Sequence, residues 1–209
     1  MKEYLTVAKK SVTEKIIEKS RFITTIAPAR SVEEAKELIE KISKENSFAT
    51  HNCYAYIIED ADGVKMKFSD DGEPQGTAGL PMLDALKQNE LKNVLAVVTR
   101  YFGGIKLGAG GLVRAYSSSV SEGIKNSEIV RATPCDVMSF EIDYDFYNTV
   151  TRIVSECSAV IKKAEFGNRI QVETIVEKSK SETLSNKITE SSKGKVTPDI
   201  IGEEYCFIK

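Results

Sequence analysis

Apolar and polar positions alternate in short runs near the start of the chain, the period-two pattern of half-buried strands. The runs Tyr4–Ala8, Ser11–Ile17 and Arg21–Ala27 are read as three such strands. The period then lengthens. Val32, Ala35, Leu38, Ile39 and Ile42 recur at helical spacing behind Ser31 and Glu34, a pair that satisfies free amides at a helix start. This predicts an amphipathic helix over Val32–Asn46. Cys53–Ile58 and Val64–Phe68 flank the turn residues Asp60-Ala61-Asp62-Gly63 and predict a hairpin. A polar loop, Ser69–Gly79, precedes a short helix over Pro81–Gln88, in which Pro81 suits the first turn. Val94–Val98 is an unbroken apolar run, as in a strand covered on both faces. Gly103, Gly104, Gly108, Gly110 and Gly111 follow, leading into a helix whose apolar side is Leu112, Val113, Tyr116, Val120 and Ile124.

Thr133-Pro134 reads as a domain boundary, dividing the chain into residues 1–133 and 134–209. Beyond it the pattern gives strand Val137–Ile142, helix Tyr147–Cys157, strand Ala159–Phe166 and strand Arg169–Val176. A helix over Ser181–Ser192 and a strand around Lys195–Ile201 follow, and residues 203–209 can add an edge strand. The fold class is therefore α+β, and the second domain has the β-α-β-β-α-β order of ferredoxin-like domains.

With 209 residues and 41% hydrophobic composition, the chain can bury two cores. Its net charge of −2 argues against nucleic-acid binding over the whole surface, so any polyanion contact needs a local patch. No apolar run is long enough to span a bilayer, and the first residues have no hydrophobic signal core. Cys53, Cys135, Cys157 and Cys206 form no CxxC pair, and His51 is the lone histidine. A zinc site is not expected, and the thiols are read as reduced in a cytoplasmic protein.

Two segments carry candidate chemistry. Asp70, Asp71 and Glu73 crowd three carboxylates into the loop Ser69–Gly79, which is stable only if they are solvated, paired with cations or bound to metal. Arg100–Arg114 joins a buried strand to a helix start through the five glycines, with Lys106 and Arg114 adding charge. Free helix amides and the positive end of the dipole favour an anion there. No acid occurs between Glu90 and Glu122, whereas Lys92, Arg100, Lys106 and Arg114 do. The spacing matches neither the P-loop nor the dinucleotide fingerprint. The two loops are expected to leave the same sheet edge and meet, with Arg21 and His51 at the rim. His51 and Cys53 share a strand face but stand too far apart for a nucleophile–base pair.

The stretches Lys19–Phe22, Ala49–Tyr56, Ser69–Gly79 and Val97–Tyr116 together resemble the IMPACT family in its bacterial, YigZ-type form. The resemblance implies a first domain like one shared by a small-subunit ribosomal protein, the fourth domain of elongation factor G and the GHMP kinases. For the second domain it implies a likeness to the last domain of elongation factor G. The family is associated with control of translation, and its eukaryotic members antagonise a starvation-responsive kinase of initiation.

Two functions are weighed. The first is a non-enzymatic regulatory protein of translation. In it Arg100, Lys106, Arg114 and the amides of Gly103, Gly104, Gly108, Gly110 and Gly111 engage RNA, the ribosome or an acidic regulatory partner. Asp70, Asp71 and Glu73 orient those cations, and no cofactor or metal is required. The second is an enzyme acting on a small phosphorylated metabolite or nucleotide. There the same carboxylates bind Mg²⁺ or act as base and His51 shuttles protons.

Overall fold

Residues 2–60 and 62–208 are described by the structure, a computed structural model. Ala61 of the expected turn and Lys209 of the expected edge strand lie outside the described residues. The described chain is α+β, with its strands in two sheets and its α-helices interspersed among them along the sequence. Tyr4–Arg131 forms one unit; Ala132–Ile208 forms the other, with Lys2 and Glu3.

The first unit contains β1 (Tyr4–Val7), β2 (Ser11–Ile17), β3 (Ser20–Pro28), α1 (Val32–Glu45), β4 (His51–Asp60) and β5 (Gly63–Ser69). Helix α2 (Gly79–Gln88), β6 (Val94–Tyr101), α3 (Gly108–Lys125) and the start of β7 (Ile129–Ile142) complete it. Its sheet has the order β2-β3-β6-β4-β5. Because β5 and β6 both run antiparallel to β4, their final residues reach the same edge. The residues after each strand therefore emerge side by side.

Strand alternation sorts the core into two layers. Phe22, Ile26, Cys53, Ala55, Val94, Ala96 and Val98 pack beneath α2 and α3. Leu95, Val97, Tyr56 and Ile58 pack beneath α1. Burial from both sides is why Val94–Val98 can be apolar throughout, with every residue 0% exposed. Helix α1 starts as its sequence requires: the Glu34 amide donates to Ser31 Oγ (3.0 Å), and the Glu34 carboxylate accepts from the Arg30 amide (2.7 Å).

Helix α2 begins at Gly79, two residues before Pro81, because a residue outside the helix caps it. Asp70 Oδ1 accepts from the amides of Ala78 (3.0 Å) and Gly79 (2.8 Å), and Oδ2 from that of Gly76 (2.8 Å). A carboxylate at this end also meets the positive pole of the helix. A side chain at position 79 would place Cβ 2.8 Å from the Ser69 backbone, so only glycine allows the approach. Asp70→Ala is expected to cost about 1–2 kcal/mol in urea unfolding, and Asp70→Asn less. Wild-type stability in both variants would refute the cap.

The second unit runs from β7 through α4 (Tyr147–Glu156), β8 (Val160–Phe166), β9 (Ile170–Glu177) and α5 (Ser181–Ser191) to β10 (Asp199–Ile208). That order is β-α-β-β-α-β. β9 pairs with both β7 and β8, and β10 with β7. Met138, Phe140, Ile142, Ile170 and Val172 pack against Val150, Ile153, Leu184 and Ile188 of the helices.

Two boundaries differ from the sequence pattern. The division between the units falls between Arg131 and Ala132, two residues before the boundary read at Thr133-Pro134, and both of those residues lie within β7. Pro134 precedes the first β9 pair, Cys135 with Glu177, so its missing N–H removes no bond of that ladder. The closing strand starts at Asp199, not Lys195. Lys193 and Gly194 take positive φ and turn the chain at the end of α5, where the Gly194 amide donates to Thr189 O (2.8 Å). Val196 then drops into the core. The four cysteines are free thiols, and no described helix is long and apolar enough to cross a membrane.

Candidate functional site

Three neighbouring strands set one row of side chains. In register, Phe22 of β3 stands opposite Arg100 of β6, and Arg100 opposite His51 of β4. All three face the α2 and α3 side. Arg100 is only 4% exposed, a position a guanidinium tolerates only with a partner.

That partner comes from the loop after β5. Arg100 Nη1 donates to Glu73 Oε1 at 2.6 Å, and Nη2 to Ser20 Oγ at 3.3 Å. The guanidinium lies over the rings of Phe22 (5.3 Å) and Phe102 (5.5 Å), the arrangement of a cation–π contact. Glu73 is equally buried. The Tyr116 hydroxyl of α3 donates to the same Oε1 at 2.8 Å, while Oε2 faces His51 Nε2 at 3.8 Å. His51 Nδ1 lies 2.7 Å from Asp71 O. A carbonyl can only accept, so Nδ1 carries the proton and Nε2 is turned to the carboxylate.

Cys53 sits beneath this cluster, its Sγ 2.9 Å from Asp70 O and 3.4 Å from the Tyr116 hydroxyl. Burial pushes its thiol up to about 12. Burial also raises the Tyr116 phenol, reinforced by Cys53 and Glu73. Both groups are therefore neutral donors near pH 7, and Cys53 lacks the thiolate a nucleophile needs.

The loop carboxylates thus diverge. Asp70 caps α2, Glu73 neutralises Arg100, and Asp71 Oδ2 accepts from the Asn52 amide (2.5 Å) where β5 no longer borders β4. Among the described residues, no group of three or more His, Cys, Asp or Glu is placed to hold a metal ion. Each of the three carboxylates answers a different protein group.

The glycine segment also divides. The Gly103 amide donates to Ser20 Oγ (3.2 Å), and a Cβ there would lie 1.9 Å from Lys19 O. Gly103 therefore lets two backbone segments touch and does not present its amide to a ligand. Gly104 has φ +85° and open space beside it. Gly108, Gly110 and Gly111 belong to α3 itself. The start of α3 has no side-chain cap and no acid in its first turn. Arg114 folds back over that turn, its Nη1 3.7 Å from where a Gly110 Cβ would stand. Lys15, Glu18, Lys106, Leu107, Arg114 and Ser118 border a cleft of about 570 Å³ beside it.

Of the cations in the acid-free stretch, Lys92 pairs with Glu59 (2.6 Å) and Arg100 with Glu73. Lys106 and Arg114 make no ion pair among the described residues. Glu73, Arg100 and His51 are thus brought together, while Lys106 and Arg114 are not joined to the loop carboxylates. Arg21 is not at this site either. It follows Ser20 and precedes Phe22 on β3, so alternation turns it to the opposite face, where it pairs with Glu14 (2.8 Å) and lies 5.7 Å from the Tyr101 ring.

Tyr116, Ser20, Phe22 and Phe102 were not singled out by sequence as members of the cluster. One signal was available for them. An arginine closing a strand of buried apolar residues needs a carboxylate, donors and a ring surface from elsewhere in the chain.

Residues 18–124 match the model of the Impact N-terminal domain. The chain is 43% identical over 206 residues to IMPACT family member YvyE of Bacillus subtilis (strain 168), covering 99% of this chain and 94% of that protein. It is 35% identical over 179 residues to IMPACT family member YigZ of Escherichia coli (strain K12), covering 85% and 88%. A solved structure titled "Crystal structure of an hypothetical protein" aligns with a TM-score of 0.64 at 32% identity, covering 97% of this chain and 98% of that one.

Proposed function

Because the chain belongs to the IMPACT family, we propose that it is a translation-associated binding protein that contacts RNA, on the ribosome or free, through the start of α3. Lys106 and Arg114 supply charge, and the first amides of α3 supply donors to a backbone phosphate; Lys15 at the cleft's border is paired with Glu122 (3.2 Å). Arg100 does not touch the ligand in this reading; paired with Glu73, it fixes the loop and strand ends beside the cleft.

One observation carries the proposal. The two helix starts of this face are treated in opposite ways. At α2 the positive end is met by the Asp70 carboxylate. At α3 it is met by Arg114, with Lys106 one residue ahead of the Leu107 cap position. Cations at a helix N-terminus are unfavourable by a few tenths to about 1 kcal/mol each unless an anion joins them. A phosphate supplies that anion.

The fold assignments rest on similar reasoning. The β-α-β-β-α-β order of the second unit, with β7 between β9 and β10, supports a ferredoxin-like domain related to the last domain of elongation factor G. For the first unit we retain kinship with the small-subunit ribosomal protein domain, the fourth domain of elongation factor G and the GHMP kinases. Fold kinship confers no kinase activity.

The test is binding of a fluorescein-labelled single-stranded RNA, and of purified ribosomes, across a salt series. Replacing Lys106 and Arg114 together by alanine is expected to lower the slope of log affinity against log salt by about 1.4 for the single strand. Equal affinity and slope for wild type and variant would reject the site. Loss of ribosome binding with unchanged RNA binding would point to an acidic protein surface and also reject the RNA reading.

A further inference from the structure

Strand β5 closes one edge of the first unit's sheet, and among the described residues only β4 borders it. Its ladder with β4 is regular from Tyr54–Ser69 to Asp60–Gly63, without a bulge. Every residue from Val64 to Phe68 is solvent-exposed, and only Gly63 and Ser69 at the strand ends are partly covered; Val64 is 45%, Met66 49% and Phe68 41% exposed. In an antiparallel ladder, alternate residues of an edge strand turn N–H and C=O groups outward.

The two faces of β5 differ in chemistry. Val64, Met66 and Phe68 stand opposite Glu59, Ile57 and Ala55, on the α2 and α3 side. Lys65 and Lys67 stand opposite Ile58 and Tyr56, on the α1 side. Lys65 pairs with Asp60 (2.6 Å) and reaches Asp62 (3.4 Å). Lys67 makes no ion pair among the described residues. No proline or bulge guards this edge, so the two lysines are its protection.

We propose that β5 is a docking edge for an extended segment of a protein partner in which apolar and acidic residues alternate. Such a segment adds a strand beside β5. Its apolar side chains lie along Val64, Met66 and Phe68, and its carboxylates lie along Lys65 and Lys67. The lysine positions select this occupant over a second copy of the chain. An antiparallel self-pair centred on Met66 would set Lys65 of each copy against Lys67 of the other, and like charges directly opposite destabilise a pair. An RNA strand could use the lysines but could not complete the backbone ladder or cover the apolar row. This surface is separate from the α3 cleft, and its use does not depend on RNA binding there.

The test uses the full chain and a fluorescein-labelled, acetylated and amidated peptide of alternating glutamate and valine, about eight residues long to match the strand. Fluorescence polarisation should show saturable binding. Methylating the valine amides that face β5 should weaken it by more than about tenfold, because those amides complete the ladder. Lys67→Glu, which replaces an exposed side chain, should weaken it about fivefold and favour a lysine–valine peptide instead. The variant's unchanged unfolding midpoint would show that folding is intact. No saturable binding up to about 1 mM, or equal binding of a block peptide of the same composition, would overturn the proposal. So would displacement of the peptide by single-stranded RNA, or self-association of the free chain that Lys67→Glu strengthens by setting glutamate against Lys65 of the other copy.

Discussion

Glu73→Ala should destabilise the first unit by about 3–5 kcal/mol, the cost of leaving a buried charge without its partner. The residue and Arg100 are each about 5% exposed or less along the side chain, so water cannot take over for the lost carboxylate. The substitution also removes the acceptor of the Tyr116 hydroxyl, a second buried donor left unpaired. Replacing both charges, Glu73→Leu with Arg100→Met, should recover most of the loss, since an apolar pair of similar volume removes the uncompensated charge. Urea unfolding of the two single variants and the double variant forms a cycle that isolates the pair. A loss below about 1 kcal/mol for Glu73→Ala would mean that Arg100 finds solvent or another acceptor, contrary to the geometry.

The second large effect concerns Gly103. Alanine at this position would set a Cβ 1.9 Å from Lys19 O and 2.1 Å from Lys19 C, both backbone atoms that cannot rotate aside. The segment after β6 would have to lift from β3, breaking the Gly103–Ser20 bond and loosening the Ser20 contact with Arg100. Gly103→Ala should therefore cost more than about 4 kcal/mol or prevent accumulation of folded protein. Gly104→Ala is the control. That position also needs glycine for its φ of +85°, yet it has open space, so the expected cost is about 1–2 kcal/mol. Similar thermal midpoints for the two variants would show that the backbone contact is not what demands glycine at 103.

These two residues show where sequence reading stopped. The strands and helices of the first unit were legible because burial is periodic: alternation in β2 and β3, helical spacing in α1, and unbroken apolarity in β6. The meeting of the two loops was also legible, since a hairpin followed by an antiparallel neighbour returns the chain to the same edge. The partner of each charge was not. Asp70, Asp71 and Glu73 look alike in sequence, and only three dimensions assign one to a helix start, one to a strand edge and one to a buried arginine. Arg100 and Arg114 likewise both appear as cations in an acid-free stretch, though one is sealed under Phe22 and Phe102 and the other borders solvent. The glycines gave no sign of their division either. Gly103 answers to Lys19, more than eighty positions away, and a local motif cannot carry that information.

In the second unit, Pro134 suggested a break because proline is rare inside paired strands. The chain does pass from one unit to the other close by, between Arg131 and Ala132, but it does so within β7, with Pro134 just ahead of the β9 ladder. The start of β10 was set too early because Lys193-Gly194 continues the helix end as a left-handed turn before the chain can extend.

The acidic loop has a length that cannot drift. Surface connections normally accept an added or missing residue, because nothing along them must arrive at a fixed place. Here three side chains within four positions must reach Ala78 and Gly79, Asn52, and Arg100. Gly72, with φ +85°, makes the bend between the second and third. Deleting it would leave the chain able to satisfy Asn52 or Arg100 but not both, and inserting a residue would displace Glu73 from a buried charge. The segment that most resembles a tolerant loop by composition is one in which natural variation must proceed by substitution, with insertions and deletions shut out.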